Sequence, residues 1–249
     1  FLPCNAQFSL DAINRKQSYK LVPNWTIDSL KLILGIVYFY AGLTKINSDW
    51  LLNAMPLKLW LKSKYDLPLI GQTIMQQEWF SFFMSWGGML YDLSIPFLLL
   101  FRKTRSYAFI LVVAFHIATR ILFPIGMFPY IMILSTIIFF DSDVHQKILR
   151  FTLKILSFLK IKSEKLCIPL LQKNNYKVRY SSLIIIVVFL FLQIFIPWRS
   201  LLYPGELFWN EQGYRFSWRV MLMEKKGSSV FKIVNSKTNS FFYVNNDDF

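Results

Sequence analysis

Long runs of apolar residues alternate with short polar segments along the chain. A helix needs roughly 20 apolar residues to cross about 30 Å of hydrocarbon. By this criterion we predict membrane helices over residues 27–46, 79–101 and 181–196. The first of these ends in the polar sequence Thr44 to Asn47, and the last stops at Pro197.

A further apolar run, 106–140, is too long for a single crossing. It is interrupted at Phe123 to Gly126, where a proline and a glycine disfavour helix. The run therefore predicts two shorter helices, 106–122 and 126–140, joined by a turn.

Two more segments have the pattern of helices that lie on a membrane surface. In 147–160, basic residues recur at helical spacing on one face while Ile, Leu and Phe fill the rest. The segment 50–62 is similar. After Trp198 the sequence becomes polar and aromatic, and alternation over 230–244 predicts a β-hairpin.

The predicted fold class is an all-α polytopic membrane helical bundle, followed by the start of a β-rich extramembrane segment. We divide the chain into a lead-in (1–26), a transmembrane helical domain (27–198) and an outer-face segment (199–249). The chain does not begin with Met, which suggests a fragment of a longer protein.

Composition supports a bilayer environment and adds an orientation. Hydrophobic residues make up 55% of the 249 residues, and the net charge is +14. The basic residues lie mainly in loops beside apolar runs, which indicates anionic lipid rather than nucleic acid as the partner. Arg102, Lys103 and Arg105 place their loop on the cytoplasmic side. Lys45, the 123–126 turn and the segment after Pro197 then face outward.

Lys45 lies near the end of an otherwise apolar helix, and two interpretations are open. Its ammonium group could snorkel to the membrane interface. Alternatively, it faces the bundle interior, where burial favours a neutral amine that can act as a general base.

His116, Arg120 and Asp92 are further polar residues inside apolar runs. Each could make structural hydrogen bonds between helices or contribute to a site, since lipid cannot satisfy such groups. Asp92 could neutralise Lys45 or Arg120, or it could tune a base. Gly87 and Gly88 are interpreted as a close helix contact.

Many Trp and Tyr residues lie near the predicted helix ends. They are typical of an interfacial aromatic belt, and stacking against an aromatic ligand is the alternative. The two cysteines, Cys4 and Cys167, lack metal-ligand spacing, so no metal is expected. P-loop, Rossmann, zinc and serine-elbow motifs are also missing from the sequence.

Four ordered blocks of sequence resemble the vitamin K-dependent γ-glutamyl carboxylase family, which includes bacterial relatives grouped as HTTM (horizontally transferred transmembrane) domains. The blocks run from Gly35 to Trp50, from Trp86 to Ser94, from Phe115 to Tyr130 and from Pro197 to Met221. The resemblance covers nearly the whole chain, and four blocks that match in the same order are more specific than a single motif.

The resemblance implies an enzyme that couples epoxidation of a reduced naphthoquinone, vitamin K hydroquinone, to carboxylation of peptide glutamate with O2 and CO2. Lys45 matches the proposed base for the hydroquinone, and His116 is the second catalytic candidate. A Glu-containing peptide or protein is the implied substrate. The implied quinone pocket draws on residues within these blocks, namely Tyr38, Trp86, Asp92, Phe128, Tyr130, Trp209, Tyr214 and Trp218.

The chain departs from the animal enzymes at two positions. They carry a histidine where this sequence has Ala6 and an asparagine where it has Thr119. The resemblance therefore predicts hydroquinone deprotonation more directly than carboxylation. Two alternatives stay open, namely a non-carboxylating HTTM protein that binds a quinone or lipid or anchors an extramembrane module, and a transporter fragment. The richness in Lys, Ile, Asn and Phe suggests an AT-rich genome and hence a bacterial cytoplasmic membrane.

Overall fold

The computed structural model describes residues 17–158, 172–175, 179–225, 227 and 229–244. Most of these residues are helical. In chain order the elements are β1 (Gln17–Leu21), α1 (Asn24–Thr44), α2 (Ser48–Asn53), α3 (Leu57–Lys62), α4 (Glu78–Leu100), α5 (Arg105–Leu122), α6 (Phe128–Thr136, extended by a 3-10 turn at Ile137–Phe139), α7 (Ser142–Phe158), β2 (Gln172–Asn175), α8 (Tyr180–Phe195, extended by a 3-10 segment at Ile196–Leu202), α9 (Leu207–Asn210), β3 (Phe231–Val234) and β4 (Phe241–Val244).

Four helices among the described residues are long and apolar enough to span a membrane. They are α1, α4, α5 and α8 with its 3-10 extension. The short antiparallel sheet β3–β4, in which Phe231 pairs with Val244, follows them. The predicted helical membrane bundle with a β-containing C-terminal segment is confirmed.

The centre of the bundle is the contact between α1 and α4. Helix α5 packs on α4 and on α6, and the 3-10 turn that ends α6 contacts α1. Gly42 permits the close approach of α1 to α4, because a Cβ atom there would lie 2.8 Å from the amide nitrogen of Leu93. In contrast, α8 buries none of its residues and contacts mainly α1. Its apolar surface is suited to lipid.

Two buried clusters hold the helices together. The first lies between α1, α4, α5 and α6 and includes Tyr38, Tyr91, Ile95, Leu99 and Val112. The second lies at the end of the bundle where α1 ends and α4 begins, which we call the Lys45 end. It joins α2 and α3 to the end of α5 through Trp50, Leu57, Leu61, Leu122 and Phe123.

The structure differs from the sequence prediction at 126–140. The α-helix there covers only Phe128–Thr136 before the chain tightens into the 3-10 turn. Even the combined segment, Phe128–Phe139, is among the shorter apolar helices. At about 1.5 Å per residue it spans roughly 18 Å, which is less than a hydrocarbon core.

The predicted interfacial helix 50–62 also differs. It is two short helices, α2 and α3, separated by Ala54 in the left-handed region with φ of 51° and by Pro56. Trp50 and Leu61 are buried, so these helices pack against the bundle instead of lying free on a surface.

The second predicted interfacial segment, 147–160, largely coincides with α7. Lys147, Arg150 and Lys154 are exposed in this helix, and residues 159 and 160 lie outside the described part of the chain. Residues 1–16 of the predicted 1–26 lead-in, which include Ala6, also lie outside the described part of the chain. Within the rest of the lead-in, Gln17–Leu21 form β1, which pairs in parallel with β2, and the last residues belong to α1.

Candidate functional site

A cavity of about 340 Å³ lies among α1, α4, α5 and the turn that leads into α6. Trp218, Val220 and Met221 close it; they belong to the predicted outer-face segment (199–249), which we call the outer segment. Most of its wall is aliphatic or aromatic. Its polar side chains are Tyr38, Lys45, Asp92, His116 and Thr119.

Lys45 caps the C-terminus of α1 and forms an ion pair with Asp92 of α4. Lys45 Nζ donates a hydrogen bond to Asp92 Oδ2. The two side chains are 13% and 7% exposed, so both are largely removed from solvent. The ammonium also lies 5.5 Å from the ring centroid of Trp50, within cation–π range. Lys45 thus faces the cavity, an orientation that does not fit snorkelling.

This pairing decides between the two partners considered for Asp92. Arg120 is exposed and does not line the cavity, although it follows His116 by one turn of α5. Asp92 therefore neutralises Lys45. Burying either charge alone is strongly unfavourable, so each keeps the other inside the bundle.

His116 lies on the α5 side of the cavity and is only 4% exposed. Its Nε2 atom is 3.1 Å from the hydroxyl of Tyr38 on α1. Tyr91 contacts the histidine edge-on and stacks on Phe115, with ring centroids 3.9 Å apart. The imidazole is held by rings on three helices, which fixes its orientation toward the cavity.

Besides Tyr38, two more of the predicted aromatic site residues line the same cavity. Phe128 enters it from the start of α6, edge-on to His116. Trp218 covers the cavity from the outer segment, and its backbone has a positive φ of 57°. Its Nε1 atom is buried and has no hydrogen-bond partner among the described residues. Phe128 and Trp218 thus contribute aromatic surface to the cavity wall.

The other four predicted pocket residues do not line the cavity. Trp86 is half-exposed, and its Nε1 donates to the carbonyl of Leu51 at 3.0 Å, which ties α4 to α2. Tyr130 is exposed on α6, and Trp209 is 79% exposed. Tyr214 is half-buried in the outer segment, and burial raises its pKa.

Sequence reasoning missed several cavity residues. Met84 and Gly88 lie two turns and one turn before Asp92 on the same face of α4, so helical spacing from Asp92 would have found them. Trp50 is fixed by two bonds with Ser85: its Nε1 donates to the Ser85 carbonyl at 2.8 Å, and the Ser85 hydroxyl donates to the Trp50 carbonyl. No pattern in the sequence predicted that lock.

Two known protein families match the chain, one over its N-terminal part and one over its C-terminal part. Residues 1–144 match the HTTM domain, which is more than half of the 249 residues. Residues 178–249 match the vitamin K-dependent gamma-carboxylase lumenal domain. No solved structure matches the chain. Every helix that lines the cavity falls in the first match, and the segment that covers it falls in the second.

Proposed function

We propose that this chain, which belongs to the HTTM and vitamin K-dependent gamma-carboxylase family, is a membrane enzyme that epoxidises a reduced naphthoquinone. The enzyme uses that reaction to carboxylate peptide glutamate. The observation that carries the proposal is the buried Lys45–Asp92 pair at the wall of an apolar cavity shared with His116.

The cavity fits a naphthohydroquinone in size and chemistry. Its volume of about 340 Å³ falls within the range of small-molecule sites, and its walls suit an aromatic ring system. The polar groups required by two ring oxygens come from different helices, with Lys45 on α1 and His116 on α5.

The Lys45–Asp92 pair can take a proton from a bound hydroxyl without a free amine at rest. Lys45 passes one proton along its hydrogen bond to Asp92 Oδ2 and takes the ligand proton at Nζ. The pair changes from neutral to singly positive, and that charge stabilises the negative charge left on the ligand oxygen. Surrounding apolar residues exclude water and strengthen this interaction.

His116 orients the ligand in this scheme. Its Nε2 is engaged by Tyr38, which leaves Nδ1 as the atom available to a ring oxygen. When bound, the reduced naphthoquinone supplies, with dioxygen, the strong base that removes a glutamate γ-proton before CO2 is added.

An alternative is a non-carboxylating member of the family that binds a quinone or lipid. Thr119 favours this alternative, because its hydroxyl donates to the His116 carbonyl of its own helix at 3.0 Å. It therefore offers the cavity less hydrogen-bonding capacity than the asparagine of the animal enzymes.

We propose a bacterial cytoplasmic membrane with the Lys45 end outward, since Arg102 and Arg105 lie at the opposite end.

The test is to supply reduced vitamin K, oxygen, labelled bicarbonate and a Glu-rich peptide to membranes that carry the full-length protein. The wild type is expected to form epoxide and labelled peptide, and Lys45→Ala neither. Lys58→Ala is the matched control, because Lys58 lies at the same end but pairs with Glu78 outside the cavity. Epoxide without label would refute carboxylation and retain quinone chemistry. Neither product from the wild type would leave the binding alternative.

A further inference from the structure

Gly88 combines burial with open space at the position of a side chain. It is buried within α4, yet a Cβ atom at this position would meet nothing within 4 Å. A buried position without a neighbour faces an internal space, and Gly88 lines the cavity that contains Lys45 and Asp92. Its missing side chain is therefore part of the shape of the site.

Helix packing does not explain this glycine. Packing is the role of Gly42, where an added Cβ would come within 2.8 Å of Leu93. The Gly87–Gly88 pair, interpreted from sequence as a close helix contact, has no such neighbour at either position. Glycine weakens a helix interior relative to alanine, so its presence at an open position calls for another reason.

The position of Gly88 relates it to the reacting groups. Asp92 lies one helical turn further along the same face of α4. A flat ring resting on the backbone at Gly88 would bring its edge toward the Lys45–Asp92 pair. Phe128 and Trp218 provide aromatic surface elsewhere around the same cavity.

We infer that Gly88 determines ligand specificity by leaving room for the second ring of a two-ring quinone against the backbone of α4. The inference rests on the proposed function and deepens it, because it assigns the choice between naphthoquinones and single-ring benzoquinones to one position. A side chain at residue 88 would occupy the volume of the second ring and leave room for a single ring.

The test uses the full-length protein in lipid nanodiscs and two probes, methylnaphthoquinone and methylbenzoquinone, each kept in its reduced form under anaerobic conditions. Binding is measured by quenching of tryptophan fluorescence, since Trp50 and Trp218 line the cavity. Gly88→Val is expected to weaken naphthoquinone binding by about tenfold or more, the scale at which pockets discriminate a methylene. Benzoquinone binding is expected to change much less, and Gly88→Ala to fall between the wild type and Gly88→Val.

Gly87→Val is the matched control, because Gly87 is exposed, has nothing within 4 Å of an added Cβ and does not line the cavity. It is expected to bind both quinones as the wild type does. Gly88→Ala is also expected to melt no lower than the wild type, and it carries the test if Gly88→Val does not fold.

Unchanged naphthoquinone binding in Gly88→Val, or an equal loss for both quinones, would overturn the role of Gly88 while leaving the proposed function intact. A wild-type protein that binds neither quinone would overturn the proposed function, and this inference with it.

Discussion

Replacing Lys45 with methionine removes one partner of a buried ion pair and leaves the Asp92 carboxylate without a counter-charge. Asp92 is buried and has Lys45 as its salt-bridge partner. Breaking such a pair costs about 3–5 kcal/mol, because the remaining charge is still desolvated. Lys45→Met and Asp92→Leu are each expected to lose stability on this scale.

The double variant Lys45→Met/Asp92→Leu tests whether the two losses have one cause. Replacing both charges with apolar groups of similar volume is often neutral or stabilising. The double variant is therefore expected to be more stable than either single variant. The measurement is thermal or denaturant unfolding of the full-length protein in detergent.

The same set of variants separates folding from chemistry. Epoxide formation is expected to fall by about 10²–10⁴-fold in Lys45→Met, the usual contribution of a positioned acid or base. It is expected to stay low in the double variant, although that protein is stable. Epoxide formed by the double variant at the wild-type rate would refute Lys45 as the base.

The buried pair itself would be refuted if the losses in free energy of unfolding were additive. In that case the loss in the double variant would equal the sum of the two single losses within about 0.5 kcal/mol. The exposed pair of Lys58 with Glu78 serves as the control, since its carboxylate is 62% exposed. Lys58→Met is expected to change stability by less than about 1 kcal/mol, as is usual for surface ion pairs.

Two further predictions concern packing and the outer segment. Gly42→Ala is expected to lower stability by about 1–3 kcal/mol, because the new Cβ overlaps the backbone and side chain of Leu93, and an unchanged melting temperature would contradict the close α1–α4 contact. Lys225→Met is expected to raise the pKa of Glu211, since the Lys225 hydrogen bond and charge hold that pKa below its ordinary value. The stabilisation from this pair is present above the ordinary glutamate pKa and is lost as the pH falls through the lowered value. NMR titration of labelled glutamate measures the pKa, and superimposable curves for wild type and variant would rule out the pair.

The long helices could be predicted from sequence because lipid imposes one demand on every spanning segment. An apolar run of sufficient length must satisfy its backbone hydrogen bonds internally, and helix does so. The prediction of 27–46 thus came close to the observed helix Asn24–Thr44. The end of α6 was not predictable in this way, because apolar composition continues through Phe139 and Phe140 while the backbone tightens into a 3-10 turn.

The aromatic residues show why site prediction from composition is harder. Trp and Tyr have an apolar body and a polar edge, so a membrane-interface belt and a cavity wall select the same residue types. Trp218 and Trp209 lie in one sequence block, yet only Trp218 lines the cavity, while Trp209 is largely exposed. The fold of the outer segment makes that distinction, and periodicity in the sequence does not encode it.

The position of Asp92 also changes what Lys45 can do. From the sequence, burial was expected to favour the neutral amine of Lys45, and Asp92 was expected either to neutralise Lys45 or Arg120 or to tune a base. In the structure, Lys45 donates a direct hydrogen bond to the Asp92 carboxylate, so the two groups share one proton donor and its acceptor. A buried pair with no net charge is easier to keep inside a membrane protein than a single ammonium, and its members can exchange a proton without solvent. We therefore propose that the basic group is the pair, to which Asp92 belongs as much as Lys45 does.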